Sequence, residues 1–510
     1  MHTLHLTPSD VLFFSDGRPM SGSLAGHTAA WPAPHVFNAA LHAAFHRAGL
    51  GGQAHLHRAA RSGKIISEDR EKDGRLFGSL LTAGPFPVSP AGAWYFPTPA
   101  DLVLADDRDG PKKQPAILGF APAALGAPAG GSLPPPLTHG VAALTPPSKD
   151  GKPPAWLRDD QWDGYLEKNS VPIPDENTKD RGKPLLADND IADIEHQIGI
   201  GIDPGTQTQD GAHFYSAHYL RLRPGWKLGV HTKADDKGAG GKADGTGHVD
   251  LLEKLFPANN HIIIGGQQRL CAVEDVSPKK PGGASAPSAP PATEAPRHLL
   301  PRGFTEAHQF QRGPDGKYRL KWILLAPAIF PGIAADPQKN IRAHPGGWLP
   351  NWIDAESGGV LLKTGGTERL PGESRDRWRK RVRRLPAIPA RLVAALVGKP
   401  VAVTGWALGG DAGGERAPAA GATRAPAAAS VAGAKPVQFA VPAGSIYYFI
   451  CDTPDAAAQL AAALNWHGSG ATGAAIQNRR STLLGEKGYG LGLCGAWEPA
   501  APAAARLAAA

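Results

Sequence analysis

Glycine and proline fall in blocks along this chain, and the blocks limit how long any regular element can be. The 63 glycines and 50 prolines concentrate at 110–154, 231–248, 277–301 and 409–435. Proline removes a backbone donor and clashes with the preceding helical turn, while glycine loses the most chain entropy on ordering. Each block therefore ends whatever regular structure precedes it. Gly110 to Pro154, with Pro134-Pro135-Pro136, reads as a long loop or insertion. Residues 231–248 mix Gly, Lys and Asp without periodicity and read as a flexible hairpin tip. Ser277 to Pro301 is rich in Pro, Ala, Ser and Lys and reads as a linker. Gly409 to Lys435 is a low-complexity loop, and the Ala-rich end after Glu498 is a tail. No repeat has a solenoid period. What remains is a set of short elements. At 510 residues they suit two domains with insertions better than one small core.

The first sixty residues read as strand, loop, helix. Leu4-His5-Leu6 and Val11-Leu12-Phe13-Phe14 are β-prone runs, and Ser15-Asp16-Gly17-Arg18-Pro19 is a polar turn with Arg18 at its tip. After Trp31-Pro32-Ala33-Pro34, Phe37, Leu41 and Phe45 recur every four residues, with Ala40, Ala44 and Ala48 beside them. That spacing predicts a helix, ended by Gly49 and Gly51-Gly52. His35, His42 and His46 share another face of it. An i,i+4 His pair can ligate a metal, but no carboxylate or thiol sits at the matching spacing. A solvated or RNA-facing stripe is the expectation.

Charge narrows the partner. Lys plus Arg number 54 against 46 Asp plus Glu, a net +8, which favours a polyanion such as nucleic acid. The densest run is Arg375, Arg377, Arg379, Lys380, Arg381, Arg383 and Arg384, with Trp378, Val382 and Leu385 at i, i+4 and i+7. It predicts an amphipathic helix whose basic face is either solvated or bound to RNA or another subunit. The cysteines, Cys271, Cys451 and Cys494, have no CxxC spacing. That excludes a disulfide framework or thiolate zinc site as the basis of the fold and points to a reducing cytoplasm. Met1-His2-Thr3-Leu4 is no signal peptide, and no apolar run approaches the ~20 residues of a membrane span. A soluble, intracellular protein is expected.

A glycine-rich run, Gly485-Glu486-Lys487-Gly488-Tyr489-Gly490-Leu491-Gly492-Leu493-Cys494-Gly495, follows Gln477-Asn478-Arg479-Arg480. Glycine permits positive φ and close approach, so such a run can turn its N–H groups toward phosphate, with the paired arginines adding bidentate donors. It can equally be a glycine-rich hairpin entering the last strand. Gly490-x-Gly492-x-x-Gly495 matches a dinucleotide fingerprint, but too little chain follows for a βαβ unit and its ribose-binding acid.

Several blocks, in order, carry a family resemblance. Leu6-Thr7-Pro8-Ser9-Asp10-Val11-Leu12-Phe13-Phe14-Ser15-Asp16-Gly17-Arg18-Pro19 is followed by Trp94-Tyr95-Phe96-Pro97-Thr98-Pro99-Ala100-Asp101. Next come Ile198-Gly199-Ile200-Gly201-Ile202-Asp203 with Gly211-Ala212-His213-Phe214-Tyr215-Ser216, and Ile262-Ile263-Ile264-Gly265-Gly266-Gln267-Gln268-Arg269-Leu270. Leu325-Ala326-Pro327-Ala328-Ile329-Phe330, Gly347-Trp348-Leu349-Pro350, Gly405-Trp406, Val441-Pro442-Ala443-Gly444-Ser445-Ile446-Tyr447-Tyr448-Phe449 and the glycine run complete the series. In this order the chain resembles a CRISPR-associated RAMP protein, the third subunit of the Cmr (type III-B) effector complex.

The resemblance implies an α+β fold of two ferredoxin-like (RRM-like, split βαβ) domains with long Pro/Gly-rich insertions. They would occupy 1–276 and 302–497, joined by a flexible linker at 277–301 and followed by a tail at 498–510. It implies a non-catalytic RNA-binding subunit in antiviral defence. That subunit would hold the 5′ repeat-derived tag of the guide RNA and dock the large polymerase/cyclase-like subunit and the first backbone subunit, with no cofactor, metal or membrane. The residues expected to bind RNA are Arg18, Arg269, Asn478, Arg479, Arg480, Lys487, Gly488, Tyr489, Gly490 and Gly492. The alternatives are an endoribonuclease that processes guide precursors with a His base, and a scaffold that touches protein only. Against the endoribonuclease, no His in the sequence is visibly paired with a Lys or Tyr.

Overall fold

Short, largely apolar strands build two main antiparallel sheets, and each of these meets different partners on its two faces. The computed structural model describes residues 1–15, 24–26, 29, 31–50, 80–106, 113–122, 133–143, 148–149, 151–168, 182–236, 249–256, 260–277, 300–339, 341–367, 369–404, 406–407, 433–434, 436–470 and 475–499.

The first sheet contains β1 (His2–Pro8), β2 (Leu81–Val88), β3 (Lys227–Lys233), β4 (Asn260–Ile263) and β5 (Leu270–Asp275), in the order β4-β5-β1-β3-β2. Every pair in it is antiparallel. Leu4 pairs with Val230 and Leu6 with Leu228, and this face packs on Phe37, Leu41 and Phe45 of α1 (Pro34–Arg47). Pro34 stands at the first helical position, where its missing N–H removes nothing. Gly49, at φ +66°, donates to His46 O while Leu50 N donates to Phe45 O. That pair of bonds is the helix-ending motif a left-handed glycine makes possible. On the opposite face, His231 stacks on Trp94 with ring centroids 4.8 Å apart and bonds Thr3 Oγ1 through Nδ1 at 3.1 Å. Burial pushes its imidazole down to about 3, so it is neutral.

The second sheet contains β6 (Tyr318–Leu324), β7 (Ala390–Leu396), β8 (Ile446–Cys451) and β9 (Gly492–Gly495), in the order β7-β8-β6-β9. Helix α2 (Pro454–Leu464) packs on it through Ala457, Leu460, Ala461 and Leu464. Thr453 caps α2 by accepting from Ala456 N. In chain order the principal strands of the first sheet are β1, β2, β3 and β5. In both sheets the spatial order is fourth, first, third, second.

The segment between β2 and β3 ties the halves together. By the two-residue period of a strand, Lys321 and Tyr448 share a face. There they meet Asp101, whose carboxylate accepts from Lys321 Nζ at 3.0 Å, Tyr448 Oη at 3.1 Å and Tyr165 Oη at 2.6 Å. All four residues are at most 1 % exposed. Burial lowers the Lys321 ammonium, which the Asp101 carboxylate opposes. One apolar cluster runs from Phe86, Trp94 and Phe96 through Trp162 and Tyr165 to Trp322 and Phe449.

Several loop expectations were too broad. The stretch 110–154 contains strands at Lys113–Pro122 and His139–Ala143, which form a three-stranded sheet with Leu102–Asp106. Phe120 is buried there, 4.1 Å from Tyr448 between ring centroids, although its Ala/Pro/Gly neighbours hide the period. The expected tip at 231–248 begins too early, since β3 continues to Lys233 and residues 237–248 lie outside the described set. The expected linker ends too late: Leu300 is buried and Pro301 O accepts from Trp466 Nε1. Residues 278–299 lie outside the described set. Val11–Phe14 forms a single antiparallel bridge, Leu12 to Leu220, rather than a strand.

A long hairpin, Ala192–Ile202 with Gln209–Leu222, carries Ile194, Ile198, Ile200 and Ile202 exposed on one side. Cys271, Cys451 and Cys494 are buried free thiols. Among the described residues no helix is long and apolar enough to cross a membrane, which says nothing of a β-barrel.

Candidate nucleic-acid interface

The glycine run lies between α2 and the first half of the molecule. Asn478 Nδ2 donates to Ala462 O and Asn465 O, each at 2.8 Å, and Arg480 Nε donates to Ala463 O. These carbonyls belong to the last turn of α2 and the residue after it, where no intrahelical donor remains. Burial lowers the Arg480 guanidinium to about 10. Arg479 is half-buried; burial lowers its guanidinium, with Glu486 opposing, and its Nη1 reaches Glu486 O at 3.5 Å.

The glycines themselves face inward. Gly488 N donates to Gly485 O, Tyr489 N to Leu484 O and Gly490 N to Pro327 O. In this conformation those N–H groups point at carbonyls of the same chain and form no open anion nest. Gly490, at φ +73°, lies where a Cβ would stand 2.1 Å from Ser481 N. A Cβ on Gly492 would meet Trp322 Nε1 at 2.3 Å, because Gly492 opens β9 and pairs with Leu324. Gly488, at φ +90°, approaches the other half, where a Cβ would meet Thr82 O at 2.8 Å. In this geometry the run is a packed turn around a short 3-10 helix, Gly485–Lys487, that leads into the last strand.

Tyr489 completes the seam. It is fully buried, burial raises its phenol above the usual range, and its Oη lies 2.7 Å from His35 Nδ1 on α1. The two rings stack at 5.9 Å and 22°. A His–Tyr pair therefore exists, contrary to the sequence expectation. Its members are 454 residues apart, so no spacing could show it. Lys487, half-buried beside this seam, is engaged by a neighbour.

Arg269 belongs to a separate group. The turn Gly265-Gly266 packs on Phe13, with Gly266 N donating to Phe13 O. Arg269 donates to Gln267 Oε1 at 3.0 Å, lies 3.8 Å from Asp10 and sits over the Tyr219 ring at 5.2 Å. Its side chain is about a quarter exposed, at 27 %. Arg18 lies outside the described residues.

Two surface clefts, of about 200 and 270 Å³, are smaller than the ~300–1,000 Å³ of ordinary ligand pockets. Neither is lined by a residue of the predicted RNA set. His2, Asp250 and Glu253 hold their ligand atoms within 4.8 Å of one another, a spacing that could hold a metal. Here both His2 nitrogens are taken: Nδ1 is 2.5 Å from Asp275 and Nε2 is 2.6 Å from Asp250. Bonding to Asp275 leads in raising the imidazole, burial opposes, and Asp250 adds to the rise. The group is an imidazolium clamp joining β1 to β5 and to Asp250.

No curated protein matches the sequence. Among solved structures, the chain is similar to one in a cryo-EM structure of the type III-B Cmr-beta bound to cognate target RNA. The identity is 13 % over 88 % of this chain and 86 % of that one, with a TM-score of 0.35. A second match, in that complex with cognate target RNA and AMPPnP in state 1, has 11 % identity over the same shares and a TM-score of 0.32. Scores this low do not fix a shared arrangement. The sequence profile of the family described as CRISPR-associated protein (Cas_Cmr3) matches residues 4–497. With almost the whole chain inside that match, this protein belongs to the Cas_Cmr3 family of CRISPR-associated proteins.

Proposed function

We propose that the chain is a non-catalytic RNA-binding subunit of a cytoplasmic type III-B CRISPR ribonucleoprotein. It holds the 5′ repeat-derived tag of the guide RNA and docks the large polymerase/cyclase-like subunit and the backbone subunit. The observation that carries this is the family match across residues 4–497. The repeated strand order supports it, because fourth, first, third, second is the connectivity of a split βαβ, ferredoxin-like unit. Single-strand RNA platforms of that type use an open sheet face; here each sheet is covered on both faces, which leaves its edges and loops for RNA. The second unit departs from the pattern: residues 325–389, between β6 and β7, replace the first crossover helix with a long connection containing a basic helix. Of the expected contacts, Arg479 and Lys487 are the cations flanking the seam that can reach phosphate. Asn478, Arg480, Gly488, Tyr489, Gly490 and Gly492 shape that edge.

The test is retention of guide RNA by the reconstituted complex, with the native tag or a scrambled tag of equal length. The native tag is expected to be retained and the scrambled one lost, whereas equal retention refutes tag holding. Arg479→Gln with Lys487→Gln should lower the salt dependence of retention by about 1.4 in log–log slope for two single-strand contacts. The His35–Tyr489 pair favours a second reading, the guide-processing endoribonuclease. Cleavage of a repeat-containing RNA by the purified protein, abolished by His35→Ala in a folded protein, would establish it.

A further inference from the structure

The connection between β6 and β7 carries α3 (Arg375–Arg384), whose sequence is RDRWRKRVRR. Ser374 caps it by accepting from Arg377 N. Trp378 Nε1 donates to Thr367 O at 2.7 Å, and Arg381 makes a two-point pair with Glu373. At 100° per residue, Trp378, Arg381, Val382 and Leu385 lie on the anchored side. Arg377, Arg379, Lys380, Arg383 and Arg384 occupy the outer side together with one acid, Asp376, all exposed. Among the described residues none of these five cations has an acidic partner. Arg379 with Arg383 and Lys380 with Arg384 are like-charge pairs at i,i+4, which repel each other on a helix. The helix dipole favours the two arginines of the last turn, but it does nothing for Arg379 and Lys380.

We infer that the outer face of α3 is a binding surface for the phosphate backbone of a single-stranded nucleic acid, separate from the seam around the glycine run. Three features select phosphate over an acidic protein. Four of the five outer cations are arginines, whose planar forks match phosphate oxygens two at a time. The apolar side chains of α3 are on the anchored side, so the outer face lacks the aromatic or aliphatic centre of a protein interface. α3 has no Asn or Gln, and its one aromatic is on the anchored side, so bases find no stacking or amide partner there and recognition is of backbone. Position separates the two surfaces. The connection carrying α3 is bridged to β7 and its flank, Gly359 to Arg391 and Lys363 to Ala387. β7 and β9 are opposite edges of one four-stranded sheet, about 14 Å apart at the usual strand spacing.

The experiment measures fluorescence anisotropy of the full chain with a labelled twenty-nucleotide oligouridylate that carries no tag. For roughly four phosphate contacts, affinity should fall about 50-fold between 50 and 200 mM salt, a slope near −2.8. Replacing Arg379, Lys380, Arg383 and Arg384 with Gln should remove most of that slope and leave tag-dependent guide retention unchanged. These exposed sites should leave the melting temperature unchanged or raised. Replacing the three arginines with Lys should restore the slope with weaker affinity. The smaller change Arg379→Gln/Arg383→Gln should remove about half the slope, and serves if the fourfold variant does not fold. An unchanged slope in a folded Gln variant overturns the inference. So does polyglutamate of matched charge binding the wild type as tightly as the RNA.

Discussion

Cutting the buried link between the halves from either end should give unequal losses. Asp101 and Lys321 are at most 1 % exposed, and breaking such a pair by removing one partner typically costs about 3–5 kcal/mol. Lys321→Met leaves the carboxylate with the Tyr165 and Tyr448 hydroxyls, each still donating to a charged acceptor. The loss should lie near the lower end, about 3 kcal/mol. Asp101→Leu instead takes the carboxylate away from the ammonium, whose Nζ also lies 4.0 Å from the Tyr165 ring, and strands both hydroxyls. Shedding its proton at pH 7 caps the lysine's share at about 4.6 kcal/mol; with the stranded hydroxyls, a loss of about 5 kcal/mol is expected. The double variant removes both charges and should recover about 2–3 kcal/mol relative to the sum of the singles. Thermal melting of the four proteins at pH 7 reads this directly. Each single variant should fall by roughly 10 °C for a unit of this size. Additive losses within about 0.5 kcal/mol, or singles costing under about 1 kcal/mol, would refute a coupled buried pair.

Gly490→Ala should destabilise by about 2–4 kcal/mol through left-handed backbone and the clash with Ser481. Melting that matches wild type, combined with lost guide retention, would instead favour an open phosphate loop there. His2→Gln should cost about 1–2 kcal/mol, since Asp275 is 36 % exposed and partly screened. The sign follows from both partners. His2 is raised above 6.5, so its contribution is whole below that pH and fades as pH climbs through the raised value. For Asp275, burial alone would raise the carboxyl, but His2 and Ser277 hold it down at about 2, so its contribution is lost as pH falls from 3.8 toward that value. The melting deficit of His2→Gln should therefore be largest between about pH 4 and 6.5 and shrink as pH climbs beyond that range. A deficit independent of pH would remove the clamp.

What could be read from the sequence was local. Phe37, Leu41 and Phe45 gave helix α1, and Gly49 its end, because spacing and one left-handed residue decide both. The basic run gave α3 for the same reason. The strands inside 110–154 were missed because Ala, Pro and Gly at strand positions have no period, and Phe120 finds Tyr448 only in three dimensions. The glycine run was undecidable by pattern. Close packing against Thr82 and Trp322 demands the same missing side chains as close approach of a phosphate. Asp101 and Lys321 stand 220 residues apart, and nothing nearby in sequence announces that each neutralises the other.

The seam also has a tempo. Tyr489 meets His35 across 454 residues of chain, which at ~5–20 residues per second takes roughly 20 to 90 seconds to synthesise. During that interval α1 and β2 stand at the ribosome without the run that will cover the Thr82 carbonyl and the N-terminal end of α1. The chain's first half thus waits with a ready-made edge for a partner that its own last residues supply. Fusions or truncations near the carboxyl end should therefore first disturb the yield of folded protein at the amino end.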